Sequence, residues 1–345
     1  MSALAEEGVF ERLMHHASQP FLAGSLLMRL AIVFSLGFAV SSIGIGNILG
    51  LSILAPLVYQ LKSVGIAPLH AFLSLIFGVN AGALSPLSPS GLIASNLIRN
   101  LGLNIDPRLL FVGNALLHAF VFGVLMLFVW TTAKRNKPPV QGNQTLGHVD
   151  NASMKRKDWF DLAPLVGLSI FVLAFNASLL KSSIVALMIY LLQRRSLNIV
   201  YSKLPWNMIF LLTGMTALVS VAVSKGYLNG LESGIKLFDP KFQVLLLFLG
   251  CAWISIFASS SAVVMPLSFS LAVSLFNPSQ LGLGILLAAF CSHIVDVSPF
   301  STLGAIAIVQ ELQPNQQRLL RGALLYTAMI LAVVAPLLSF CLFLY

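Results

Sequence analysis

Ser85-Pro86-Leu87-Ser88-Pro89-Ser90-Gly91 and Ser298-Pro299-Phe300-Ser301-Thr302-Leu303-Gly304 share one pattern, Ser-Pro-x-Ser-x-x-Gly. Each copy interrupts a long apolar run. A proline inside a helix removes an N–H donor and clashes with the preceding turn. Two prolines within four residues, Pro86 and Pro89, therefore predict a helix that unwinds and then resumes near Gly91. In a chain rich in serine and glycine such a string recurs by chance, so its weight comes from its surroundings.

The surroundings are those of a membrane protein. The chain has 345 residues, of which 58% are hydrophobic and only 9% charged, with a mean hydropathy of +0.92. A soluble domain carries roughly 25% charged residues, so lipid is the solvent for most of this surface. The net charge of +9 does not point to nucleic acid, because the cations fall in short clusters between apolar runs. That is the positive-inside pattern of a polytopic protein. Glu6, Glu7 and Glu11 stand where a signal peptide needs a basic region, so none is expected. Cys251, Cys291 and Cys341 lie in apolar runs and fit neither a disulfide framework nor a zinc pattern.

Outward from the two copies, the chain divides into two similar halves. Residues 1–20 place Val9, Phe10, Leu13 and Met14 against Glu11, Arg12, His15 and His16, as an amphipathic interfacial helix does. Residues 21–63 are apolar but split by Ser41-Ser42-Ile43-Gly44-Ile45-Gly46-Asn47, which allows two full helices or a re-entrant hairpin. Pro56 and Lys62 shorten the second arm and favour the hairpin. The first broken helix covers 68–100 and a plain span covers 108–133. The polar stretch 134–158 is a cytoplasmic linker, with Lys134, Arg135, Lys137, Lys155, Arg156 and Lys157. The second half, 159–345, has three spans within 160–224, an amphipathic external loop at 225–241, a hairpin at 242–276 split by Ser259-Ser260-Ser261, a broken helix at 280–311 and a span at 319–344. Arg12, Arg29, Lys62, the linker cations, Arg194, Arg195, Lys203, Arg318 and Arg321 then lie inside, with the C-terminus outside. Each half reads hairpin, broken helix, full helix, with opposite entry. Inverted repeats with discontinuous helices are a mark of secondary transporters, whose sites lie near the midplane.

These residues resemble the ion transporter superfamily, which includes divalent anion/sodium symporters. Gly-Ala-Leu-Ser-Pro-Leu-Ser-Pro-Ser-Gly-Leu-Ile-Ala at 82–94 and Asp-Val-Ser-Pro-Phe-Ser-Thr-Leu-Gly-Ala at 296–305 look most like its MatC-type dicarboxylate carriers. The resemblance covers residues 8–344 and implies an elevator-type fold, all-α and polytopic, in a bacterial inner membrane, as a homodimer. The hairpin tips depart from the family's Ser-Asn-Thr, reading Gly46-Asn47-Ile48 and Ser259-Ser260-Ser261. The first half also lacks the three scaffold spans of the second, so the expectation is an N-terminally incomplete repeat.

The candidate site follows from the breaks. Opened helices offer hydroxyls, carbonyls and N–H groups at depth: Ser85, Ser88, Ser90 and Gly91 in one copy, Ser298, Ser301, Thr302 and Gly304 in the other, with Asn47, Ser259, Ser260 and Ser261 at the tips. Half-helix N-termini attract anions, and hydroxyls with carbonyls suit a hard cation. Asp296 is the one acid deep in an apolar segment, which makes it a functional candidate by default; the plainer reading is a cap for a half-helix starting near Ser298. His293, one turn earlier, is its candidate proton partner. Sodium is the candidate coupling ion, at Asn47, Ser88, Asp296 and Ser301, with protons as the alternative and no organic cofactor implied. The expected function is secondary transport of a dicarboxylate or related organic anion by alternating access. A cation/proton antiporter centred on Asp296, an intramembrane hydrolase and a non-transporting remnant are the competing readings. No Gly-x-Ser-x-Gly elbow or paired-aspartate motif supports the hydrolase.

Overall fold

The computed structural model describes residues 25–61, 66–135, 225–309, 311 and 313–344, together with isolated positions between 167 and 222. The expected interfacial helix at 1–20, most of the linker and the three spans at 160–224 lie outside the described residues. Every regular element within them is helical. In order these are α1 (Leu26–Val40), a π-turn (Ser41–Ile45), α2 (Asn47–Gln60), α3 (Pro68–Ala81), α4 (Pro89–Asn100), α5 (Pro107–Arg135), α6 (Tyr227–Lys236) and α7 (Pro240–Ser255). A second π-turn (Ser260–Val264), α8 (Met265–Leu275), α9 (Pro278–Ile294), α10 (Thr302–Val309) and α11 (Pro314–Leu344) follow.

Proline sets many of these starts. It begins α3, α4, α5, α7, α9 and α11, where its missing N–H is one the first turn leaves unpaired anyway and its fixed φ suits the helix. Pro89 therefore opens α4 rather than unwinding it, two residues before the start expected near Gly91. Pro56 does not end the second arm either: α2 runs past it to Gln60, at the cost of one i→i−4 bond. Residues 227–236, expected as loop, form α6, started at Gly226 with φ 73° and braced by a Lys236–Glu232 pair one turn apart.

Helix lengths separate two kinds of element. Leu26–Ile45, Pro107–Thr131 and Pro314–Leu344 are long and apolar enough to cross a membrane. The first reaches that length only with its π-turn, where Gly44 at φ 103° already breaks the helix. By contrast α3 has 14 residues, or about 21 Å against a hydrocarbon core of about 30 Å.

The two halves pack alike. α3 lies against α1, α2 and α5, and α9 lies against α7, α8 and α11. The two halves then exchange contacts. α10 packs on α2, α4 packs on α8, and α5 bridges to α9. Each half-helix that follows a break thus rests on the other half's hairpin arm, which brings both breaks to one place. Phe72, Phe248, Phe269 and Phe290 are the largest fully buried side chains of the core.

Candidate functional site

Each residue type in Ser-Pro-x-Ser-x-x-Gly has a job, and both copies do the same jobs. The first serine pins the break to the hairpin of its own half: Ser85 Oγ donates to the Ser42 carbonyl at 2.7 Å, and Ser298 Oγ to the Ile256 carbonyl at 2.8 Å. The second serine closes the loop and caps the next helix. Ser88 Oγ donates to the carbonyls of Ala83 and Ser85 and accepts from Gly91 N–H at 3.1 Å. Ser301 Oγ donates to the carbonyls of Asp296 and Ser298 and accepts from Gly304 N–H at 3.2 Å. This is the N-cap bond that a serine at such a position provides. The glycine allows the loop to fold back. A Cβ at Gly91 would sit 1.9 Å from the Ser85 carbonyl oxygen, and one at Gly304 would sit 1.9 Å from that of Ser298.

Ser85, Ser88, Gly91, Ser298, Ser301 and Gly304 therefore build the breaks, and none of them is in the lining of the cleft beside them. The cap before α10 is Ser301, not Asp296, and α10 begins at Thr302, four residues past the expected start.

The cleft itself lies between the breaks and the tips. It encloses about 450 Å³ of empty space, including the part open to solvent, and is walled by Asn47, Ser90, Ser259, Ser260, Ser261, Asp296 and Thr302 with Ile48, Pro89, Ile93 and Leu303. Pro89 and Ser90 open α4, and Thr302 and Leu303 open α10. The N-terminal turns of both half-helices thus reach the same space. Among the described residues no lysine or arginine lines it.

Asp296 is 6% exposed and accepts a 2.6 Å hydrogen bond from Ser260 Oγ. Ser260 is in turn 2.6 Å from Ser255 Oγ, which donates to the Ser292 carbonyl. A carboxylate accepts about four hydrogen bonds or cation contacts, so one bond leaves capacity on the side that faces the cleft. His293 does not reach the carboxylate. Its Nδ1 donates to the Ala289 carbonyl at 2.8 Å and its Nε2 lies 3.4 Å from Ser261 Oγ. Ser261 donates across the cleft to Ser90 at 2.7 Å. Of the four residues expected to hold sodium, Asn47 and Asp296 face the cleft while Ser88 and Ser301 serve the backbone. Among the described residues no three His, Cys, Asp or Glu side chains cluster as a metal site would require.

Three residues outside the expected set complete the picture. Asn80 is fully buried at the end of α3; it accepts from Asn47 Nδ2 at 3.0 Å and donates to the His293 carbonyl at 2.7 Å. Asn114, on the buried face of α5, donates to the carbonyls of Asn80 and Ala81 where α3 ends. Ser255 supports Ser260 from behind. Asn80 carries the signal that singled out Asp296, a strongly polar side chain inside an apolar run, and it stands 213 residues before His293, the spacing that relates the two copies of the motif.

Apolar helices of spanning length, two broken helices and a polar cleft between them define a polytopic membrane transporter. The sequence matches the family described as citrate transporter (CitMHS) over residues 1–291, and the chain belongs to that family. It is a transporter and not an enzyme. No match to a curated protein was found.

Proposed function

We propose that the protein is a secondary carrier of citrate or a related di- or tricarboxylate, coupled to sodium or protons. The observation that carries this reading is the make-up of the cleft among the described residues: two half-helix N-termini, six hydroxyl or amide side chains from both tips, α4 and α10, one carboxylate, and no fixed positive charge. Helix N-termini and hydroxyls favour a carboxylate substrate. Asp296 opposes it. The two coexist when a cation sits beside Asp296 and offsets both negative charges, so anion and cation bind together or not at all. That mutual requirement is what couples a gradient to transport, because an unoccupied or half-occupied site is disfavoured. Alternating access then follows from movement of the tips and half-helices against the long helices, with residues 21–63 and 242–276 acting as re-entrant hairpins. The same reading extends to MatC-like dicarboxylates, which present the same carboxylate groups.

The test is uptake of radiolabelled citrate, and of malate in parallel, into proteoliposomes under imposed sodium or pH gradients. Uptake should rise with one of the two gradients. Asp296→Asn should lower it by at least about tenfold, equivalent to ~1.4 kcal/mol, and abolish what cation dependence remains. Uptake that is indifferent to both gradients and to Asp296→Asn would overturn the coupling. The buried carboxylate also supports a second reading, a cation/proton antiporter. It predicts sodium-driven proton movement, followed with an internal pH dye, in the complete absence of carboxylate.

A further inference from the structure

Asn80 lies on neither a tip nor a break, and it lines no cleft. It nonetheless touches both sides of the site. Its Nδ2 faces the His293 carbonyl at 2.7 Å, an acceptor with no donor capacity. That contact fixes which end of the Asn80 amide is nitrogen, since an oxygen there would face another oxygen. Asn80 Oδ1 must then face Asn47, and it accepts from Asn47 Nδ2 at 3.0 Å. Asn47 is oriented in its turn, with Oδ1 held by the Ile48 N–H at 3.0 Å. The orientation of one cleft-lining amide is thus dictated, through Asn80, by a carbonyl of the other half of the chain.

That carbonyl is not an arbitrary one. The His293 oxygen also accepts from the Asp296 N–H at 3.2 Å, the bond that closes the turn carrying the carboxylate. Asn80 therefore binds the Asn47 tip with one end and the Asp296 turn with the other. Its backbone is fixed too, because Asn114 Nδ2 donates to the Asn80 carbonyl at 2.8 Å. With Asn80 fully buried, no bulk water stands ready to replace either amide bond once it is lost.

We propose that Asn80 is a positioning residue that makes the two walls of the cleft act as one, setting the Asn47 amide and the Asp296 turn in register with each other. In the Asn80→Ala variant Asn47 loses its orienting partner and the His293 carbonyl loses its only side-chain donor among the described residues. Citrate should then bind a site whose walls are no longer matched. The transport part of this proposal rests on the carboxylate-carrier reading above; the mechanical link does not.

The experiment therefore has two arms. In proteoliposomes, Asn80→Ala and the near-isosteric Asn80→Asp, which sets a carboxylate oxygen against the His293 carbonyl, should each raise the KM for citrate at least about tenfold while Vmax stays within about threefold. Adding Asn47→Ala to Asn80→Ala should cost less than about twofold more, although Asn47→Ala alone is costly. A loss confined to Vmax, or Asn47→Ala costing as much with Asn80→Ala as without it, would overturn the proposal. In the second arm, hydrogen exchange of the purified protein without substrate should quicken in Asn80→Asp at both 44–50 and 293–298. Quickening confined to residues near 80 would overturn the link. No citrate uptake by the unaltered protein would sink the carrier reading and leave this second arm to decide the link by itself.

Discussion

Gly91 and Gly304 occupy equivalent places 213 residues apart and meet the same obstacle, the carbonyl of the first serine in their own motif. At 1.9 Å neither position admits a Cβ without moving backbone, and overpacking of this kind costs about 1–3 kcal/mol, or more when the backbone must move. Gly91→Ala and Gly304→Ala should each lower the unfolding midpoint of the detergent-solubilised protein, by similar amounts. Gly123→Ala should not, because open space surrounds a Cβ there and alanine is the better helix former. Ser88→Ala and Ser301→Ala should cost less, about 1 kcal/mol each, as the loss of a helix cap does. Unequal effects at the paired positions would argue that the two breaks are held by different forces. At this scale the sequence was informative in kind and less so in role. The motif located both breaks, yet Ser85, Ser88, Ser298 and Ser301 turned out to satisfy backbone. A list of polar residues in an unwound segment does not say which are turned inward to close the loop and which face the opening. That depends on whether a carbonyl freed by the break lies within reach, which only the folded loop decides.

Among the elements, α5 does what its apolar sequence conceals. Its buried face carries Leu110, Asn114, His118 and Phe122 at helical spacing. Asn114 donates to the carbonyls of Asn80, which also accepts from the Ala83 N–H, and of Ala81, in the last turn of α3 where i+4 donors run out. His118 donates from Nδ1 to the Asn114 carbonyl at 2.9 Å and packs edge-on against Phe290 of α9. This long helix therefore braces the first break from behind. Asn114→Leu should remove two donors to buried carbonyls and cost about 1–3 kcal/mol, read as a lower unfolding midpoint. Because Asn114 fixes the Asn80 backbone, the KM for citrate should rise as well. A stability loss with unchanged KM would make the brace purely structural. Residues 108–133 read from sequence as a plain span because one asparagine and one histidine do little to lower the hydropathy of so long a run. Among the described residues proline stands at six helix starts, where its backbone preference is local. The exchange of contacts between α10 and α2, and between α4 and α8, was not legible. It is set by how apolar faces fit across the two halves, and periodicity reports only that a face exists.

For the molecule as a whole, the exchanged packing makes a specific demand on transport. Both half-helix N-termini and both hairpin tips border one cleft, so exposing the cleft to the opposite side of the membrane requires these parts to travel together past α5 and α11. Thr302 is exposed at the start of α10 and lines the cleft, which makes it a reporter. Cys251 and Cys291 are buried and Cys341 is exposed, so Thr302→Cys is best placed in a Cys341→Ser background. A membrane-impermeant thiol reagent should modify it from either face of the membrane, in a ratio that shifts when a sodium or pH gradient is imposed. Saturating citrate should slow the modification several-fold at this position, and leave Gln316→Cys, exposed on α11 away from the cleft, unchanged. Modification from a single face under every gradient would mean that the cleft does not change sides, and alternating access by these elements would have to be abandoned.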